Sequence, residues 1–432
     1  MKKRYKILFL LVIVTLTCFI FCKMFYPERP HLTVIGCVTM ADGIGRQAVD
    51  LMNAVYDEVS FGFIPCRISD LTDVPLRIQP FIKKPNKNMG KVVVYESALP
   101  RPNQKFDKRL RKFIKGPKNK NQIRIAYSML ESSRIPAKWV EALNKCFDAV
   151  AVPDEFLVDV YTASGVSIPI FVLPLGLDMD SFLTHPLKTE RNKPFCFMNV
   201  STMIPRKNHE GLIRAFYQAF GDNPDVELRL NYRYGKQQTL VEIESLIDSL
   251  KVHNIVLTGD QLDNHHYLEF LSKGDVLVTL SKGEGFSIQP REAMALGLPV
   301  ILSDNTAHKT VINSTLCSGI SCPHADIAYN AYLSCECGEE YIADIDEAAL
   351  AMRHVYENYE KYLESAWQRR EWAARYRFEN LKPFYLTLIQ PRQITLGDHN
   401  EITENCLITS SPELYNKYQQ LLFQPSSLTT SE

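Results

Sequence analysis

The chain has 432 residues, 46% of them hydrophobic and 23% charged, with 49 basic residues set against 49 acidic ones. That composition excludes a disordered chain and is long enough for two α/β domains. A formal net charge of zero gives no global argument for a nucleic-acid partner, and none is expected.

Lys2, Lys3, Arg4 and Lys6 precede an uncharged run from Ile7 to Cys22, which Met24-Phe25-Tyr26 extends beyond Lys23. Counted to Tyr26 this is about twenty residues, roughly 30 Å of helix, which matches the hydrocarbon thickness of a bilayer. No small-x-small cleavage site follows, and neither Cys18 nor Cys22 has the small preceding residue of a lipoprotein site. The expectation is an uncleaved, single-pass N-terminal transmembrane anchor, with the membrane as a partner and Lys23 snorkelling to the interface. The flanking charges do not fix the side on which the rest of the chain lies.

After Pro27-Glu28-Arg29-Pro30, Leu32 to Val38 reads as a buried strand and Met40-Ala41-Asp42-Gly43-Ile44-Gly45 as a loop. An amphipathic helix is expected from about Arg46 to Glu58, and Gly43 and Gly45 would let the backbone before it approach a phosphate or sugar. Strands at Lys91 to Tyr95, Ile123 to Tyr127, Asp148 to Val152 and Ile168 to Leu173 alternate with helices such as Ala137 to Cys146 and Asp154 to Ala163. That is the rhythm of a doubly wound sheet. The basic stretch from Lys105 to Lys120 reads as solvated surface or as a face toward anionic lipid. Pro174-Leu175-Gly176-Leu177-Asp178 marks a change of domain. The Asp178-Met179-Asp180 that overlaps it is read as a turn and helix cap, so no metal is assigned to it.

A second unit opens with the strand Phe195 to Val200 and a loop that ends in Arg206-Lys207-Asn208, before a helix from Glu210 to Phe220. Two cations at a strand-to-helix turn suit a diphosphate. Strands at Val226 to Leu230 and Asn254 to Leu257 continue the alternation, and His265-His266 reads as solvated or capping. The apolar run Asp275 to Leu280 then leads into Ser281-Lys282-Gly283-Glu284-Gly285-Phe286-Ser287 and a helix from Pro290, stopped by Gly297. Glu284 and Glu292 therefore stand with seven residues between them, at the carboxyl end of a parallel strand. Hydroxyl-rich ligands want carboxylate acceptors beside backbone N–H donors, and this loop offers both. Cys317, Cys322, Cys335 and Cys337 could hold zinc, form bridges or be free thiols in an irregular insertion. Helical patterns from Asp346 to Glu364 and from Trp367 to about Leu388, kinked at Pro383, close the globular part before a weakly structured extension.

The two-glutamate segment, the basic Arg206-Lys207-Asn208 loop and the Pro174 to Asp178 linker together resemble retaining glycosyltransferases of the GT-B fold, the group 1 or family 4-like enzymes. The resemblance covers about Leu32 to Leu388 and is strongest from Arg206 to Asp304. It implies an α/β chain of two Rossmann-like domains facing across a cleft. The divisions expected are an anchor and linker (1–30), an acceptor domain (31–175), a nucleotide-sugar domain (190–365), a crossover helix (366–390) and a tail (391–432).

By the same resemblance Glu292 binds the ribose of a nucleotide-diphospho-sugar, Glu284 lies beside the transferred hexose-type sugar, and Lys207 and Arg206 meet the diphosphate. Gly285, Phe286, Ser287, Gly43 and Gly45 supply loop contacts. No obligatory cofactor or metal is implied, and the acceptor would be a glycan or lipid-linked. Two departures stand out. Ser201-Thr202 occupies the place of a Gly-Arg pair, and Glu131 lies near the place of a first-domain histidine, as a cleft residue or a helix start. Rival readings are an inactive sugar- or nucleotide-binding module, and an epimerase or hydrolase on the same fold.

Overall fold

The structure is a computed structural model that describes residues 29–40, 43–66, 70–84, 89–96, 99, 122–232, 234–260, 262–331 and 333–389. The expected anchor, the basic stretch from Lys105 to Lys120 and the segment from Gln390 onward lie outside these residues. Among the described residues, no helix is long and apolar enough to cross a membrane.

Two six-stranded sheets organise the chain. The first contains β1 (Leu32–Gly36), β2 (Phe61–Pro65), β3 (Val92–Glu96), β4 (Ile123–Tyr127), β5 (Ala149–Val152) and β6 (Ile170–Val172), in the order β2-β1-β3-β4-β5-β6. The second contains β7 (Phe195–Val200), β8 (Val226–Asn231), β9 (Ile255–Thr258), β10 (Val276–Thr279), β11 (Val300–Ser303) and β12 (Ser318–Ile320), in the order β12-β11-β10-β7-β8-β9. The recorded pairings in both sheets are parallel. Helices cover both faces of such sheets, so the strands are continuous apolar runs; every residue of β1, β3 and β10 is buried. Strand order reverses between β1 and β3 and again between β7 and β10. Such reversals open a crevice at the carboxyl ends of the strands.

Three expectations change in detail. The first helix runs Gly43–Ala54, so Gly43 and Gly45 stand in its opening turn and not in a loop before it. The closing helical pattern breaks at Arg375–Arg377, not at Pro383, which lies inside the continuous helix Phe378–Ile389. A tertiary contact falls at the break: the Leu177 N–H of the linker donates to the Tyr376 carbonyl at 2.8 Å. The last helix then packs back on the first domain, where Tyr385 O–H donates to Pro174 O and accepts from Gly176 N–H, both at 2.9 Å.

The third change is the cysteine-bearing insertion, which is an antiparallel hairpin of β13 (His324–Asn330) and β14 (Cys335–Ile342). It emerges from the second domain, yet Leu333 and Cys337 join the apolar core of the first. Backbone N–H groups of Ser133 and Arg134 donate to Glu339 O at 3.2 Å and Cys337 O at 3.1 Å. Cys335 and Cys337 bring their Sγ atoms to 3.8 Å, and all the described cysteines are free thiols. No group of described residues has the make-up of a metal site.

Gly338 makes this docking possible. Its φ is +81°, and a Cβ there would stand 2.4 Å from Ser133 Oγ and 2.9 Å from the Arg134 nitrogen. Gly338→Ala is therefore expected to cost about 1–3 kcal/mol through backbone strain and lost docking. The urea-denaturation midpoint measures it, and an unchanged midpoint would refute this account of how the hairpin is held.

Candidate active site

A cleft of about 360 Å³ opens where the strand orders reverse. Its lining follows the carboxyl ends of strands in both sheets. Met40, Gly43 and Arg46 come after β1, Met129 and Glu131 after β4, and Leu175 after β6. From the second domain come Ser201, Thr202, Arg206 and Lys207 after β7, Tyr267 after β9, and Glu284 through Gln289 with Glu292 after β10. Of the residues singled out from sequence, Gly45 is missing from this wall. A Cβ on Gly45 would meet Thr39 backbone at 2.7 Å, so close packing of the loop requires a glycine there.

The basic loop is built to keep its two cations in place. Pro205–Lys207 forms a single 3₁₀ turn, and Asn208, at φ 53°, caps the helix His209–Phe220 by accepting from Gly211 N–H at 3.2 Å. The Arg206 carbonyl accepts from Lys282 N–H at 2.8 Å, so this loop and the loop after β10 are tied to one another. Lys207 Nζ donates to Glu284 Oε1 at 2.5 Å, and Arg206 Nη1 lies 3.3 Å from Glu284 Oε2. Burial by itself would raise the Glu284 carboxyl, but Lys207 and Arg206 hold it well below the usual carboxylate range. Glu284 is ionised throughout the physiological range.

Glu292 is 1% exposed and lies on the second turn of the helix Ile288–Ala295. Its Oε2 accepts from Tyr267 O–H at 2.7 Å, and its Oε1 lies 2.8 Å from Arg46 Nη1 of the first domain. Sequence reasoning missed Arg46 and Tyr267 because nothing local sets them apart; only the packing of two domains brings them to Glu292. Glu131 starts no helix, since the next one begins at Ala137. It is a cleft residue, 3.3 Å from Arg206 Nη2 across the domain boundary.

The loop between the glutamates is fixed from behind. Ser287 sits at φ 64°, and the Ser287 hydroxyl lies 2.9 Å from His308 Nε2, whose Nδ1 faces the Ser303 carbonyl at 3.1 Å. Arg291, with no exposed side chain, donates to the carbonyls of Phe286 and Ser287 and stacks 3.9 Å over the Phe286 ring. With the carbonyls drawn backward, the N–H groups of Gly285, Phe286 and Ser287 are left without a partner among the described residues. They line the cleft at a helix N-terminus, an arrangement suited to anionic oxygen. In the loop after β7 the place of the missing Gly-Arg pair is uncharged: Ser201 O–H donates to Asn199 Oδ1 at 2.7 Å and approaches His209 Nε2 at 2.9 Å.

Two facing parallel sheets with a charged cleft at the carboxyl ends of their strands define a GT-B-type two-domain α/β protein. Solved structures of that architecture agree. A glycosyltransferase from Rickettsia africae matches with a TM-score of 0.60 at 12% identity, covering 84% of this chain and 98% of that one. Anabaena HepE in complex with UDP-glucose matches with a TM-score of 0.58 at 11% identity, covering 84% of this chain and 100% of that one. At such identities the likeness concerns the fold. Residues 184–331, the segment that carries the basic loop and both glutamates, match the model of the glycosyl transferases group 1 family. The Escherichia coli serotype-specific mannosyltransferase WbdA is 32% identical over 119 residues, 27% of this chain and 14% of its own. The MMP α-(1→4)-mannosyltransferase of Mycolicibacterium hassiacum is 31% identical over 146 residues, 34% of each chain. The matches thus span about a third or less of these curated relatives.

Two buried histidines give the site a pH signature. Burial pushes both His209 and His308 down to about 4 from the ordinary 6.5. The unfolded chain therefore takes up protons on these two rings between about pH 6.5 and 4 that the folded chain refuses, and their contribution to stability is lost as pH drops through that window. The buried acids Asp50, Asp154 and Glu96, all raised, act in the opposite sense over the same range, so the histidine contribution is read by difference. On going from pH 7 to 4.5 the urea midpoint of His209→Gln/His308→Gln should shift in the stabilising direction relative to the shift of wild type, whatever its absolute stability, and identical shifts would refute the assignment.

Proposed function

We propose that the chain is a retaining, metal-independent glycosyltransferase that moves a hexose-type sugar from a nucleotide-diphospho-sugar to a glycan or lipid-linked acceptor. The observation that carries this reading is the pairing of Lys207 and Arg206 with Glu284 at the β7/β10 crevice, with Glu292 on the adjoining helix. Mannosyltransferases among the relatives, and UDP-glucose bound by a protein of like fold, support a hexose donor.

Glu292 and Tyr267 hold the ribose in this mechanism, and the diphosphate lies against Lys207, Arg206 and the free loop amides. As the glycosidic bond breaks, charge builds on the leaving diphosphate, where these preorganised donors already point. Glu284 lies beside the sugar, and its negative charge favours oxocarbenium character. The resemblance supplies no covalent nucleophile, so the acceptor hydroxyl attacks on the face from which the diphosphate departs and the anomeric configuration is retained. Acceptors enter from the first domain. Ile7 to Cys22 anchors the enzyme to a membrane, a reading supported by the length and charge-free character of that run.

Two measurements test this. In EDTA-treated protein the wild type should turn over, Glu292→Gln should lose about 1.5–3 kcal/mol of nucleoside-diphosphate affinity, and Glu284→Gln should keep that affinity but lose kcat. Loss of wild-type activity restored by Mg²⁺ or Mn²⁺, or equal affinity losses in both variants, would sink the mechanism. Mass spectrometry of membrane-derived protein should find Phe25 and Tyr26 still joined to the apolar run; a mature chain that starts between Cys18 and Pro30 would rule out the anchor.

A further inference from the structure

In the ligand-free cleft every charge described above already has a partner. Lys207 holds Glu284 at 2.5 Å and Arg46 holds Glu292 at 2.8 Å, both with carboxylates no more than 9% exposed. The third contact differs. Arg206 meets Glu131 at 3.3 Å, and Glu131 is 30% exposed, the most open of these six side chains. It also reaches from the opposite domain, and its backbone is pinned: a Cβ on Gly283 would lie 1.9 Å from the Glu131 carbonyl oxygen. The neighbouring Ser133 and Arg134 are bonded to the hairpin. Glu131 is thus a half-buried carboxylate on a fixed stem, set against the cation that the donor's diphosphate needs.

We propose that Glu131 is an internal competitor for the Nη2 side of Arg206, whose Nη1 side is held by Glu284: it shares that cation with Glu284 before the donor binds, gives it up to the donor's diphosphate, and reclaims it as the product nucleotide leaves. The inference rests on the glycosyltransferase reading above and adds to it a residue that sets nucleotide release. A diphosphate brings more charge than one carboxylate and several strong acceptor oxygens, so it outcompetes a single contact at 3.3 Å in a half-wet site. After transfer the free nucleoside diphosphate would otherwise stay on Arg206 and Lys207. A tethered carboxylate at high local concentration shortens its stay without any new binding event.

The experiment is a double-mutant cycle on the full chain. Calorimetry and stopped-flow dissociation are measured with uridine, guanosine, adenosine, cytidine and thymidine diphosphates. Glu131→Gln removes the charge of an exposed side chain and keeps its shape. It should bind the preferred diphosphate about three- to tenfold more tightly than wild type, chiefly through slower dissociation, while Glu131→Asp stays near wild type. In an Arg206→Gln background the gain from Glu131→Gln should vanish, which a merely structural role for Glu131 would not produce. Equal or weaker binding by Glu131→Gln, or a gain that persists without Arg206, overturns the proposal and leaves the glycosyltransferase reading intact. Failure of the wild type to bind any of the five would instead overturn that reading, and the proposal with it.

Discussion

The guanidinium of Arg291 is the contact on which the rest of the site depends. It has no exposed surface, lies against the Phe286 ring at 3.9 Å and the Tyr376 ring at 4.6 Å, and draws in the carbonyls of Phe286 and Ser287. A loop must turn its carbonyls somewhere, and turning them inward leaves its N–H groups facing the cleft. Ser287 at φ 64° is the strained residue that this inversion requires, and His308 holds its hydroxyl. Asp154 of the first domain comes within 3.6 Å of Arg291, and the Thr310 hydroxyl donates to the same carboxylate at 2.9 Å. Burial raises the Asp154 carboxyl to about 6, against the pull of Arg291. The floor of the donor loop is therefore fastened to the opposite domain as well as to its own helix.

Fastening of this kind explains why two loops separated by some seventy-five residues act as one wall. Ser281 and Lys282 bond to the Arg206 carbonyl, Asn208 Nδ2 donates to Leu280 O at 3.1 Å, and Thr306 Oγ1 accepts from Glu284 N–H at 2.8 Å. Each of these groups is short and polar and would carry a desolvation penalty if left alone in so buried a place. Satisfied together, they set Lys207 against Glu284 with little freedom. Preorganised charge of this sort does not have to reorient when a diphosphate departs.

Much of this was legible in the sequence, for identifiable reasons. The run before Glu284 and the Gly297 stop gave strand, loop and helix because buried parallel strands are uniformly apolar and helices end at glycine. Arg206 and Lys207 were legible as cations at a strand-to-helix turn. The same local logic failed wherever a tertiary contact decided the outcome. The helix break at Arg375–Arg377 exists because Leu177 pairs with Tyr376, 199 residues away in no local pattern. The hairpin of β13 and β14 was hidden because its cysteines suggest metals, whereas its second strand bonds Ser133 and Arg134. Arg291 stood inside the most informative segment and carried no signal at all, since a helical arginine is ordinarily solvated.

Burial on the first-domain side also decides where the charge of Arg46 is felt. Its own helix offers Asp50, 3.5 Å away, and Asp50 in turn stands close enough to raise the buried carboxyl of Glu96. Burial raises Asp50 to about 7, and Glu96, with neither oxygen hydrogen-bonded, is pushed well above the carboxylate range. At neutral pH the first carries part of a charge and the second none. The other carboxylate against Arg46, that of Glu292 at 2.8 Å, belongs to the other domain. Burial thus weakens the acid on the helix of Arg46 itself, at 3.5 Å, and the shorter contact, at 2.8 Å, is the one that crosses the domain boundary.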